Sequence, residues 1–474
     1  MIGKCIFSIF ALIVLISVLT GSGCANIIPP GGGPKDTLPP VLVNSLPKDS
    51  ILHFKGNKIV LTFNEYVQLD NNMNDNLIVS PFPVSIPTIA AKLRVVTITL
   101  KDSLKPNTTY SINFGKGLKD VNEGNVAKNF TYVFSTGDKL DQGKLTGNVV
   151  LAETGNIDTT LLVVLHDNLD DTSIKKNNPK YFARLNSKGN FVFRNLAPGE
   201  YNVFVLPNEY SKKYDDSTKM FAFMKRPVTI TDSLSAPDVT LYAYRQFKAT
   251  PKKKTNNNPN KKKPVKPAEN PKLRMTFGPK NGDQDLLTPL IISFSNKIDS
   301  FDTAKVVLMD TLYHRIKGYT LIPVDTLLTK FELRNKWPED TYYKAIIQAD
   351  AFKDSNGTTI GKTDTIKFKT KKESEYGSIR LHFNGIDLSK NPVLQLVQSE
   401  KVVDSIPLTT NEWYRQLYTP GEYQMRILYD DNKNGTWDPG DYSMKKPPEI
   451  VIIIKSRKQL IIKSNIDNEA DINL

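Results

Sequence analysis

The chain has 474 residues, 39% of them hydrophobic, a formal net charge of +14 and two cysteines. Its length exceeds what one hydrophobic core supports and suits about three to five domains. The charge does not point to nucleic acid: between Lys248 and Lys272 nine lysines against one glutamate hold most of the surplus, with no arginine cluster or aromatic platform beside them.

At the start, Lys4 precedes an apolar run from Cys5 to Leu19, the size of a signal-peptide core and short for a membrane span. Gly21, Ser22 and Gly23 follow, then Cys24 and a Gly/Pro-rich tether over 24–38. This arrangement resembles the lipobox of bacterial lipoproteins, with Gly21 standing where that pattern has leucine. The resemblance implies a signal peptide over 1–23 and lipidation of Cys24. Removal of Cys5 and acylation of Cys24 would leave no thiol and no disulfide, which suits an oxidising compartment. An ordinary signal peptide with a chance cysteine, or a cytoplasmic chain with a buried N-terminal helix, is the alternative. Ala25 follows the cysteine, with no Asp-type retention signal and no acidic run. The resemblance then implies the outer membrane, lipid-anchored on the periplasmic face, with surface exposure still open.

Beyond the tether, alternation dominates. Ile59, Leu61 and Phe63 share one face of "NKIVLTFNEYV", and "VVTITL", "TYSINF" and "NFTYVFST" keep the same two-residue period. Pro, Gly, Asn and Asp fill the gaps. The expected fold class is all-β, built of short-stranded sandwiches. The pattern also repeats. "LKPNTTYSINFGKGLKDVNEGN" (Leu104 to Asn125) has the layout of "WPEDTYYKAIIQADAFKDSNGT" (Trp337 to Thr358), and "LAPGEYNVFVL" (Leu196 to Leu206) that of "YTPGEYQMRIL" (Tyr418 to Leu428). The organisation is A-B, linker, A′-B′, with A over 39–138, B over 141–246, a linker over 247–271, A′ over 272–372 and B′ over 376–474.

Stretch A, through "PPVLVNSLPKDS", "IVLTFNEYV" and "LKPNTTYSINFGKGLKDVNEGN" to "FSTGD", resembles the bacterial Ig-like domain of S-layer proteins and envelope lipoproteins. A′ keeps the layout without the double-proline start. B and B′ resemble carboxypeptidase-regulatory or prealbumin-like sandwiches through Gly189, Phe191, Phe193, Leu196, Pro198, Gly199 and Tyr201. The whole is similar to Bacteroidota cell-envelope lipoproteins that combine these modules. The lysine-rich linker has no apolar pattern and is expected to be an extended spacer, the other reading being attraction to anionic envelope polymers.

"DDNKNGTWDPGD" fits a twelve-residue calcium loop: Asp430, Asn432 and Asn434, then Gly435, Thr436 through its carbonyl, Asp438 and finally Asp441. The expectation is weak Ca2+ binding; an ion-free Asp/Asn/Gly turn is the competing account. The matching place in B, "PNEYSKKYDD" (Pro207 to Asp216), lacks the spacing and is expected to bind nothing. Trp437, with Tyr429 and Tyr442, offers a sugar-stacking surface or a core cap. Four scattered histidines, no G-x-S-x-G and a shortened P-loop-like "GTTIGKT" yield no catalytic set. Asp-Ser/Thr followed by a small or aliphatic residue, as at Asp49-Ser50-Ile51 and Asp310-Thr311-Leu312, resembles an O-glycan acceptor motif of secreted Bacteroidota proteins. The expected function is a non-enzymatic outer-membrane lipoprotein scaffold that meets another envelope protein or an anionic polymer. No nucleic acid, small-molecule substrate or cofactor besides calcium is expected. A glycan-binding lipoprotein, or an enzyme of unrecognised type, is the alternative.

Overall fold

In the computed structural model residues 35–209, 211–232, 237–247, 272–278, 283–454 and 459–474 are described. The leader, Cys24, the tether to 34 and the linker from 248 to 271 lie outside the described residues. The chain is nearly all β, a row of tandem sandwiches in two pairs. It divides into two compact units, the first reaching to Gly143 with two short later segments, the second holding the rest.

In the first unit Leu42–Leu46, Lys58–Phe63, Val95–Thr99 and Thr88–Lys92 lie side by side in that order, while Ile78–Ser80, Thr109–Asn113 and Thr131–Ser135 form a second sheet. The alternation becomes burial: Ile59, Leu61, Val96 and Ile98 from one sheet meet Ile112, Tyr132 and Phe134 from the other in one core. The repeated Lys-Asp-x-Asn is an aspartate-closed turn. Asp120 is buried, and its carboxylate accepts from the N–H groups of Glu123 (2.7 Å), Gly124 (2.7 Å) and Asn125 (2.8 Å). Burial alone would raise its pKa; those donors outweigh it and hold the carboxyl below the usual range.

In the second unit, A′ repeats that device with Asp354, which accepts from Asn296 Nδ2 and from the N–H groups of Asn356 and Thr358. The B and B′ sandwiches share one topology. Asn190–Leu196, Gly143–Leu151 and Asp238–Ala243 form a sheet in that order, with the last pair parallel. Glu412–Tyr418, Gly377–Asn384 and Asp467–Asn473 repeat it, again with a parallel last pair. The Pro-Gly turns explain the shared motif. Gly199 (φ +151°) and Gly421 (φ +157°) hold a backbone conformation side chains rarely adopt. Two residues on, at the tyrosine of the shared motif, Tyr201 and Tyr423 are buried on the returning strand.

B and B′ also touch, although A′ and the linker separate them in sequence. Tyr442 of B′ enters an aromatic cage on B, with ring centroids 5.8 Å from Phe204, 5.1 Å from Phe221 and 5.1 Å from Phe223. Its hydroxyl donates to the Asp171 carbonyl (2.9 Å), and Lys445 pairs with the Asp171 carboxylate. The Val451 N–H donates to the Ala152 carbonyl at 3.0 Å. His166 lies beside Phe204, its ring Nε2 without a hydrogen-bond partner. Burial, opposed in part by Asp167, pushes its pKa down to about 4.

Tyr442→Ala is expected to cost about 3 kcal/mol in urea unfolding, as large-to-small aromatic changes do, and Tyr442→Phe only about 1 kcal/mol. A neutral outcome for Tyr442→Ala would mean the two sandwiches do not dock. The lowered pKa of His166 gives an acid-sensitive term: its contribution is intact above the ordinary histidine pKa near 6.5 and is lost as pH falls towards about 4, to the extent of roughly 3 kcal/mol. A His166→Gln chain should show a shallower fall in stability across that window.

Candidate cation-binding loop

The excursion between Gly421–Tyr429 and Ile450–Ile453 carries the densest set of oxygen ligands that the sequence suggested. Asp430 leaves the strand directly and is almost fully buried. Its two carboxylate oxygens accept from the N–H groups of Asn434 (3.2 Å) and Gly435 (2.6 Å), which wraps the backbone round it. Gly435 turns at φ +77°, where an L side chain would be strained. Asn434 Oδ1 accepts from the N–H (2.7 Å) and hydroxyl (2.9 Å) of Thr436. The side-chain amides of Asn432 and Asn434 both donate to Asp438.

Asp441 does not join this cluster, which corrects the expected twelfth ligand. Its carboxylate accepts from the N–H of Ser443 (2.8 Å), the hydroxyl of Ser443 (2.6 Å) and the N–H of Met444 (3.3 Å), closing a turn of its own. The cause is Pro439-Gly440: Gly440 lies against the Tyr244 ring, where a Cβ would come within 2.7 Å, and the chain then runs to Tyr442 in its cage. The carboxylate that returns to the loop is Glu449, nearly fully buried. It accepts from the N–H groups of Asp431 (3.0 Å) and Asp438 (2.9 Å), while its own N–H donates to the Asp438 carbonyl (3.1 Å). Burial pushes its pKa up; the two N–H donors pull it back, and the carboxylates of Asp430 and Asp438 push it further up. Sequence spacing missed Glu449 because it follows Asp430 by nineteen residues rather than eleven. Its one local signal is "KPPEI", an acid directly before an apolar strand.

Among the described residues no three acidic, histidine or cysteine side chains gather closely enough to hold a metal by themselves. A hard cation here would need Asn432, Asn434 and the Thr436 carbonyl beside Asp430, Asp438 and Glu449, and would displace the amide donations to Asp438. Trp437 is not a free stacking platform: it packs on Val393, Leu428 and Val451, and its Nε1 donates to the Glu449 carbonyl at 2.7 Å. The Asp-Ser/Thr motifs are a different case. At Thr37, Ser50, Ser103, Thr159, Thr311, Thr326, Thr365 and Ser405 the acceptor residue is exposed, while the motif at Asp232 runs out of the described residues at 233. Several of the aspartates cap turns; Asp310, for one, accepts from the N–H groups of Leu312 and His314.

Residues 36–136 match the family described as "Bacterial Ig-like domain". No curated protein matches the chain. Among solved structures, the chain is similar to the major pilin subunit BcpA of Bacillus cereus at 12% identity over 70% of this chain and 99% of that one, with a TM-score of 0.16. The Bacillus anthracis TIE protein is 11% identical over 94% of this chain and 76% of its own, also at a TM-score of 0.16. Domains 1–6 of the surface-layer protein SbsC are 10% identical over 92% of this chain and 54% of that chain, at a TM-score of 0.16.

Weak calcium binding by this loop is our proposal. Several millimolar calcium should raise the melting temperature of the intact chain by a few degrees. Asp430→Ala and Glu449→Gln should each remove that shift. The raised pKa of Glu449 sets a sign without calcium: its cost to stability is absent below the ordinary glutamate range and complete above the raised value. Glu449→Gln removes that pH-dependent cost, so the calcium-free variant should lose less stability than the wild type as pH rises through the glutamate range, although its amide oxygen can accept from only one of the two N–H groups. A melting temperature indifferent to calcium retires the ion and leaves a hydrogen-bonded turn.

Proposed function

We propose that the chain is a non-enzymatic envelope lipoprotein. Acylation of Cys24 anchors it to the outer membrane, and its β-sandwiches are presented to another envelope protein or an anionic envelope polymer. The observation that carries this reading is the tandem-sandwich architecture, with an Ig-like match over residues 36–136 and a B–B′ contact that fixes modules against each other. Sandwich modules joined in this way set reach and orientation. The leader supplies the address: an apolar run, small residues and a cysteine directly before a Gly/Pro-rich tether. Acyl chains at about 0.8 kcal/mol per buried methylene hold such a protein to a bilayer once two or more are attached. The exposed Asp-Ser/Thr hydroxyls leave room for O-glycans on the same surface. Calcium in the 430–449 loop stiffens the segment that carries Tyr442.

Expressed in a bacterium with a lipoprotein-processing pathway, the chain should partition with membranes and incorporate labelled palmitate. Cys24→Ser should abolish the label and release the protein to the aqueous fraction. A wild-type chain found soluble with an unmodified thiol at its start sinks the anchor. Crosslinking in membranes followed by detergent co-purification should return a stable partner, and a consistently solitary monomer counts against the scaffold role.

A further inference from the structure

One sheet of the Ig-like stretch, with Lys58–Phe63, Val95–Thr99 and Thr88–Lys92 side by side, turns one face away from the core. Its core-facing residues Ile59, Leu61, Val96 and Ile98 are fully buried, so their neighbours must point out. The pairing aligns those neighbours in three rows: Lys58, Thr99 and Thr88; Val60, Thr97 and Ala90; Thr62, Val95 and Lys92. Apart from Lys58 and Lys92 the side chains of this floor are small or β-branched, four of them threonines, and no carboxylate stands among them.

At one end this floor deepens into a groove of about 560 Å³ lined by Tyr66, Ala90, Lys92, Leu93, Arg94, Val95 and Thr97. That is the size of an ordinary small-ligand site. The groove has a fixed wall. Leu93 and Arg94 form the turn between Thr88–Lys92 and Val95–Thr99, and their carbonyls accept from the N–H groups of Val67 (2.9 Å) and Phe63 (2.8 Å). Those two bonds clamp the turn against the segment carrying Tyr66, whose ring lies 5.5 Å from the Arg94 guanidinium. Leu93 sits at φ +54° and is 63% exposed, so an apolar side chain is held in an unfavourable backbone conformation without being buried. Tyr66 is half exposed, and among the described residues neither Lys92 nor Arg94 forms an ion pair. Glu65, which precedes Tyr66 in sequence, does not line the groove; its pKa is raised by burial and then by Asp120, Asp36 and Glu123, none of which lines the groove either.

We propose that this groove binds an anionic saccharide, with the sugar face against Tyr66 and the Val95–Ala90 floor, a hydroxyl on Thr97, and a carboxylate or phosphate between Lys92 and Arg94. Charge selects the occupant: two unpaired cations and no acid in the lining repel a cationic guest and favour an anionic one. The floor of small side chains and the half-exposed Tyr66 ring suit the C–H face of a pyranose.

The test uses the full-length chain in isothermal titration with an oligogalacturonate (carboxylate source), a phosphorylated mannan (phosphate source) and a neutral maltooligosaccharide. At least one anionic probe should bind, more weakly as salt rises, and the neutral one about tenfold or more less tightly. A response to only one anionic probe names the group recognised. Tyr66→Ala and Arg94→Gln should each weaken that binding about tenfold, with melting temperatures near wild type because both side chains are at the surface. Lys92→Gln, at the strand residue before the turn and with no change to Tyr66 or Arg94, checks the charge requirement independently. Equal binding of neutral and anionic probes, no binding at millimolar concentration, variants that bind like wild type, or stronger binding to phosphatidylglycerol vesicles than to any saccharide would each overturn the assignment. Because the site lies in the Ig-like stretch and does not involve Cys24, its failure leaves the anchor proposal standing, and the reverse also holds.

Discussion

Every sandwich in this chain rests on one constraint: each strand must hide one face and expose the other. With side chains alternating about the strand, an apolar face left in water costs about 25 cal/mol per Å², so two such faces close on each other. In the first unit that closure joins Ile59, Leu61 and Phe63 to Ile112, Tyr132 and Phe134. In A′ it joins Leu290, Ile292 and Phe331 to Tyr343, Ala345 and Phe368. The turns then only have to bring each strand back, and buried aspartates such as Asp120 and Asp354 do this by satisfying several backbone N–H groups with one carboxylate.

What distinguishes the B sandwiches is that their second faces are used as well. All of Leu161–His166 is buried, so the face of that strand turned away from the sandwich core is also covered. His166 and Phe204 lie on this covered side, next to the cage that Tyr442 enters. The B′ sandwich buries the equivalent run Pro392–Gln398 save its last residue, with Trp437 lying over Val393 and Leu428. One excursion, 430–449, therefore does two jobs. It links Asp430, Asp438 and Glu449 through shared backbone and asparagine donors and sends Tyr442 into the neighbouring sandwich. A cation held among those carboxylates and a docked ring would stiffen the same segment, which gives the calcium proposal a structural consequence beyond the loop.

The groove on the Ig-like stretch has a different origin. Its floor is the outward half of the alternation, and its chemistry comes from a two-residue turn locked by backbone bonds to the Tyr66 segment. An anchored sandwich chain with such a face would meet polysaccharide through this module.

The sequence alone was enough for the all-β class, the strand positions, the duplicated A-B plan, the inward tyrosines of the Pro-Gly motifs and the turn at Gly435. Apart from the duplication, which shows as matching segments far apart in the chain, these depend on residues a few positions apart, because side-chain alternation and turn conformation are properties of the local backbone. The tertiary structure alone decided which distant groups meet. Glu449 replaces Asp441 beside Asp430 because Pro439-Gly440 redirects the chain and the next strand brings an acid back. Tyr442 finds Phe204 and Phe221 more than two hundred residues earlier in the chain, and the rows Val60–Thr97–Ala90 and Thr62–Val95–Lys92 exist only once register is set. No local period encodes such pairings: they are selected by closure of whole sheets, where shifting a strand by one residue would turn its buried face to water.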